Sequence, residues 1–431
     1  MPTPSKQQCS ITAALVCGAF AAQAAFAQGN VVTEQRQFGA FNAIELSGPY
    51  QVVVKAQGTQ SVSLTGPKDK LADVEMRVRG DTLIVKPVSH FGFHFGYKKT
   101  ETITVAITAS ALRSLRMGGS GDVRLEQVAG DKFSVAVSGP GELHGSGAVR
   151  ELRVDSSGSG DVDLERLSAA NVRLAQSGPG DVTLANISGE FNADLSGSGD
   201  LNASGLHTTR TQLHMSGPGD TVLRGSSAEL RADISGSGDL DACALAVEAA
   251  RADLSGPGGA CISGKIKTFD ADVSGSGDLI AHGLLADKAR IEMSGPGNVT
   301  LDGAVGQFNA RLSGSGDLEA GGLTVAVGDV RSSGPGGVEL ARVTDTLTAD
   351  MSGSGELHAS MAGKRLVLEM HGPGASRIGG TVDSVRARLT GSGDLDGRQL
   401  AARTSDVQVQ GPGDAVIGSA RFDRKGSSVK R

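Results

Sequence analysis

Ser196-Gly197-Ser198-Gly199-Asp200-Leu201 is followed twenty residues on by Ser216-Gly217-Pro218-Gly219-Asp220-Thr221, and nineteen further on by Ser235-Gly236-Ser237-Gly238-Asp239-Leu240. Outward from these, sixteen copies of Gly-Ser-Gly or Gly-Pro-Gly between Gly119 and Gly413 lie 19 or 20 residues apart, Ser and Pro alternating from one to the next, with one further copy, Gly145-Ser146-Gly147, off the period. A fixed period of about 20 residues marks a solenoid, in which each repeat buries its apolar face only against a neighbour.

Aligned on the first glycine of each tripeptide, the units alternate with period two. Four residues before it all sixteen are apolar, as at Leu174, Ala193 and Leu213; two before it thirteen are, with Ser156, Gln176 and Ser332 departing. The residue between is usually polar, as at Asp194, His214, Asp233, Asp253, Asp272 and Glu292. That pattern predicts a half-buried strand running into the turn. A second strand leaves it, facing in at the fourth and sixth positions after the glycine. Glycine, free to take positive φ, and proline, with φ fixed, suit the sharp corner between them.

Side-chain size separates two geometries. From Gly197 onward the Ser-type units carry Leu then a small residue at the two inward positions, as in Leu240 and Ala242. The Pro-type units reverse the order, as in Ala260 and Ile262. Stacking consecutive units sets large against small in every column and keeps the cross-section filled. One unit then makes one turn. The competing geometry is a flattened turn of 39 residues with Ser-type and Pro-type corners on opposite edges. Sixteen turns at a strand spacing of about 4.8 Å would make a rod on the order of 75 Å long.

Residues 1–27 read as a secretory signal: Lys6, an apolar run over residues 11–22, and Ala25-Phe26-Ala27 before Gln28. The run is too short to span a bilayer. Cys17 invites lipidation, but Leu15-Val16-Cys17 lacks the small residue expected before a lipidated cysteine. Residues 28–117 are an N-terminal β section and cap, with strands expected over 43–46, 50–55, 61–64, 74–78, 82–85 and 102–107 and a degenerate first corner at Ser47-Gly48-Pro49. The aromatic run from His90 to Lys99 reads as a hairpin tip or contact loop; His90 and His94 lack an evident third metal ligand. Residues 118–418 are the β-helix repeats, and residues 419–431 a basic tail expected to be disordered.

The net charge of −6, with acids and bases interspersed, gives no basic stripe for nucleic acid. Of the four cysteines only Cys243 and Cys261 lie beyond the signal. An oxidising compartment favours a bridge, whereas turn arithmetic separates their Cα atoms by roughly 8 Å, beyond disulfide reach.

The acid after the corner is the most prominent chemical feature. It is Asp122, Asp161, Asp200, Asp239, Asp278, Asp317, Glu356 or Asp394 in the Ser-type units, but only Glu142, Asp181, Asp220 and Asp414 in the Pro-type. Such a ladder could bind Ca²⁺, or each carboxylate could accept a backbone N–H in its own turn; the second reading is favoured. A sugar-cleaving enzyme would need a cleft and a distinct pair of acids, and turns of constant length without tryptophan offer neither. No catalytic residue, metal or cofactor is therefore expected, and the binding residues are unknown.

The repeated Ser-Gly-Ser-Gly-Asp-Leu, together with the lead-in over residues 41–46, 50–55, 83–85, 103–105 and 112–115, resembles the GIN head domain, a domain-of-unknown-function family described as an autotransporter adhesin head. The resemblance runs from Gln37 to about Gly418. It implies an all-β fold, a right-handed parallel β-helix (β-solenoid), here with about 16 turns of 19–20 residues and an N-terminal β cap. The role it implies is a non-catalytic, adhesin-like or scaffolding surface in the periplasm or on the surface of a Gram-negative bacterium. Its partner would be an extracellular or envelope glycan or protein. A polysaccharide-active lyase or glycosidase is the alternative.

Overall fold

The computed structural model describes residues 31–88, 102–422 and 429–430. The expected signal with Cys17, the aromatic run with His90 and His94, and most of the basic tail lie outside the described residues.

The repeats form a parallel β-solenoid of about 15 turns. Leu201 pairs with Thr221 of the next unit, and Thr221 with Leu240 of the one after. One unit is thus one turn, and the 39-residue turn is excluded. The inward column Leu240, Ala260, Leu279, Val299, Leu318 alternates large with smaller, as volume filling requires.

Each turn has three straight runs. In the strand Leu201–Met215 the inward residues are Leu201 and Ala203, then Leu206 and Thr208, then Thr211, Leu213 and Met215. Alternation breaks where two successive residues face outward, at Ser204-Gly205 and Thr209-Arg210, and the chain bends there. The first of these bends carries most of the positive φ angles of the repeats, among them +60° at Gly205, +129° at Gly225, +145° at Gly264 and, without glycine, +59° at Gln127 and +57° at Asn186.

The repeat-corner glycines are not among the positive-φ residues, so the conformational reason expected for them is wrong. Their reason is contact. A methyl group on Gly158 would land on the carbonyl oxygen of Gly139, and one on Gly217 on that of Gly197. The Gly160 N–H donates to that same Gly139 oxygen at 3.1 Å. Backbone rests on backbone at the corner, and a Cβ has no room.

One continuous apolar core fills the rod. Ser156, Gln176 and Ser332 point into it as their column position predicts, each 1% exposed. Gln176 donates from Nε2 to the Gly180 carbonyl at 2.9 Å, while its Oε1 is left without a partner. The hydroxyls of Ser156 and Ser332 find no partner.

The lead-in comprises β1 (Val31–Arg36), β2 (Ala43–Leu46), β3 (Gln51–Lys55), β4 (Ser61–Pro67), the short helix α1 (Lys68–Leu71), β5 (Val74–Arg79), β6 (Thr82–Pro87), β7 (Thr104–Thr108) and β8 (Ser114–Met117), before β9 (Val123–Val137) begins the long wraps. Ser47-Gly48-Pro49 is indeed a first corner: Leu46 pairs with Met117, Val52 pairs with Val123, and the Gly121 N–H donates to the Gly48 carbonyl at 3.2 Å. Beneath it β4 runs antiparallel between β1 and β7, turning the sheet away from further parallel addition. At the other end Ala420–Phe422 returns antiparallel on Ala415–Ile417. The tail expected to be disordered from Ser419 is therefore strand as far as Phe422, because the last turn offers it a hydrogen-bonding edge.

Candidate binding face

The third run of each turn, leading into the corner, carries its outward side chains in columns. Five residues before the corner glycine the column reads Arg231, Arg251, Asp270, Arg290, Asn309; two residues later it reads Asp233, Asp253, Asp272, Glu292, Arg311. Parallel, in-register stacking makes these columns, because the same strand position recurs directly above itself once per turn.

Ion pairs lace the columns together. Arg251 Nε lies 3.0 Å from Asp253 in its own turn and its Nη1 lies 3.1 Å from Asp270 in the next. Arg311 Nη1 reaches Glu292 at 3.0 Å, and Arg290 contacts the same oxygen. Towards the N-terminal end Lys132 pairs with Glu151 at 2.8 Å and Arg153 with Asp155 at 2.8 Å. Hydrogen bonds from Arg290 and Arg311 hold the Glu292 carboxyl below its usual range, and the Asp253 hydrogen bond keeps Arg251 more firmly protonated. Asp272 moves the other way: burial, then the neighbouring Asp253 and Glu292, push its carboxyl up. It lies in the turn where Asp270 replaces the arginine. Exposed pairs of this kind add little stability, so their effect is to fix long side chains in a regular charged lattice.

Three shallow grooves indent this face. One of about 690 Å³ is bordered by Glu229, Arg251, Asp270, Lys288, Arg290 and Arg311. Another of about 430 Å³ lies among Lys132, Glu151, Arg153 and Arg173, and a third of about 500 Å³ among Asp272, Glu292, Arg331 and Asp350. They are open surface grooves in one charged lattice. Sequence reading named the second column as outward residues but missed the arginines beside it, which pair both within their own turn and with the next.

The corner acids lie elsewhere and are committed to the backbone. Oδ1 of Asp161 accepts the N–H of Asp181 at 2.9 Å, Asp181 that of Asp200 at 2.8 Å, and Asp200 that of Asp220 at 2.9 Å. The acceptor thus serves the next turn, not its own as expected. Asn298 continues the ladder with its side-chain oxygen, accepting from Asp317 at 2.9 Å, whereas the Gly259 N–H donates to Asp239 Oδ1 and Gly259, without a side chain, offers no acceptor to the next turn.

Cys243 and Cys261 come together more closely than expected, with Cα atoms 5.3 Å apart and their sulfurs adjacent. The turn arithmetic missed a bulge. Ala242 pairs with Ile262, but Ala246 pairs with Ser263, so the intervening residues arch and carry Cys243 over Cys261. The structure joins the pair as a disulfide, against the expectation from turn arithmetic.

The family model described as "Putative auto-transporter adhesin, head GIN domain" matches four times, over residues 40–205, 173–280, 260–360 and 342–421. The chain belongs to the GIN family. No curated protein matches this GIN chain. Among solved structures it is similar to a "putative lipid binding protein" from Parabacteroides distasonis, at 16% identity and TM-score 0.34, covering 64% of this chain and 96% of the other. It is also similar to a "putative adhesin" from Bacteroides fragilis, at 18% identity and TM-score 0.26, covering 67% and 96%. At such values neither structure carries a statement about what this GIN chain binds. Among the described residues no helix is long and apolar enough to cross a membrane.

Proposed function

We propose that this GIN-family chain is a non-catalytic, exported solenoid that presents its ion-laced face to an extended glycan or protein in the cell envelope or outside it. The observation that carries this reading is the registered lattice of Arg231, Arg251, Arg290 and Arg311 with Asp233, Asp253, Asp270 and Glu292. A lattice repeating once per turn suits a partner that is itself long and periodic, and spreads affinity over many weak contacts. The family description, an adhesin head, supports the same reading.

The test has two parts. Protease is applied to intact cells and to cells with an opened outer membrane, following the chain with an antibody to its tail. Loss from intact cells places the face where an external ligand can reach it; protection until opening restricts the reading to an envelope scaffold. Purified chain is then exposed to glycan and protein arrays. Replacing Arg251 alone should weaken a hit only a few-fold, and replacing Arg231, Arg251, Arg290 and Arg311 together should abolish it. Binding that survives the fourfold change would remove this face from the function.

A further inference from the structure

On a different side of the turn, three donor side chains from three consecutive turns converge. The two sulfurs of Cys243 and Cys261 and a ring nitrogen of His282 all lie within 4.8 Å of one another. The bulge after Ala242 supplies the first sulfur, and the regular strand that follows places Cys261 opposite Ile280, two residues before His282 along the strand. Behind the imidazole stands Asp302 of the fourth turn. Its Oδ2 is 2.5 Å from His282 Nδ1, and its Oδ1 accepts the Gly283 N–H at 2.7 Å. The carboxylate is thus anchored by backbone and directs Nδ1–H toward itself, leaving Nε2 free to ligate. Metal-bound histidines recurrently show this backing by a carboxylate.

We propose that Cys243, Cys261 and His282 form a metal site for a thiophilic d¹⁰ cation, Zn²⁺ or Cu⁺, with Asp302 as the residue that positions the imidazole. Two thiolates and an imidazole suit a soft or borderline ion and do not suit Ca²⁺ or Mg²⁺, which take oxygen ligands. Three protein ligands satisfy Cu⁺ in a trigonal plane and leave Zn²⁺ one position for water. The disulfide of the structure uses the same two sulfurs, so metal and bridge exclude one another and the site belongs to the reduced chain. No linear motif announces the set, because its spacing of 18 and 21 residues is the turn period modified by a bulge.

The test uses the chain from Gln28 onward, reduced and with its thiols counted, titrated separately with Zn²⁺ and Cu⁺ against a chromophoric chelator. One equivalent of either ion should bind to the native chain and be lost in Cys261→Ser and in His282→Ala, with circular dichroism confirming that both variants keep their β content. Cobalt(II) should give a thiolate charge-transfer band that those variants lack. Asp302→Ala should bind about tenfold more weakly while keeping that band, and Asp302→Glu should restore affinity. The proposal is overturned if the reduced native chain binds neither ion more tightly than Cys261→Ser, or if the two sulfurs cannot be reduced in the folded chain.

Discussion

Gly256 shows why a single methyl group matters here. A Cβ on it would meet the carbonyl oxygens of Gly236 and Ser235 in the turn below. Gly256→Ala is therefore expected to cost about 3 kcal/mol, read as a lowered urea midpoint, whereas Gly39→Ala, with nothing within 4 Å of the new atom, should leave the midpoint unchanged. Ser332 is the opposite case. Its hydroxyl is buried between Leu312 and Met351 without a partner, so Ser332→Ala should raise stability by about 1 kcal/mol. The position of Ser332 was legible in the sequence because inward columns admit few departures. The reason for the corner glycines was not, since it lies in a contact between turns and not in any one residue's φ. The same holds for the bend at Gly205, Gly225 and Gly264: these glycines recur in the sequence, but without a fixed partner residue to mark them as a second column.

Along the third run of the turn the charges differ from one strand to the next, and Asp272 occupies the strand where an acid stands in the arginine column. Its carboxyl is pushed up by burial and by Asp253 and Glu292. A raised folded-state value means that the folded chain holds this proton more tightly than the unfolded chain does. The resulting loss of stability is absent below the ordinary aspartate value, grows as pH rises through the window above it, and is complete once pH passes the folded-state value. Asp272→Asn should accordingly raise the unfolding midpoint at about pH 7 and leave it unchanged at about pH 3; an equal gain at both would refute the electrostatic cause. Strand positions of the cap were read almost as they occur, β2 over Ala43–Leu46 and β5 over Val74–Arg79, because each alternates cleanly. The antiparallel course of β4 was not, since pairing direction leaves no mark on a single strand. The cysteine pair was misjudged for a related reason: a bulge changes register without changing composition.

For the whole molecule the alternation of large and small layers makes two turns the natural unit of length. Removing residues 197–235 sets Val182 and Leu184 against Leu240 and Ala242, the same complement they meet now in Leu201 and Ala203. Removing only residues 197–216 sets Leu184 on Leu223 and Val182 on Thr221. The first deletion should leave the unfolding midpoint within experimental error of the native chain, and the second should lower it, as calorimetry would show. The period itself carries most of this architecture in plain view; the bends within a turn, the bulge at the cysteines and the two ends needed the structure. The inter-turn hydrogen bonds described at the corners, Asp161 to Asp181 and onward, run along the rod, whereas the chain runs across it. A pull applied at the two ends therefore loads one turn's bonds at a time and not all turns together. Each yielding step would release one turn of 19 or 20 residues and lengthen the tether by about 60 Å, so that a rod anchored at one end and gripped at the other would absorb force by paying out chain in equal increments.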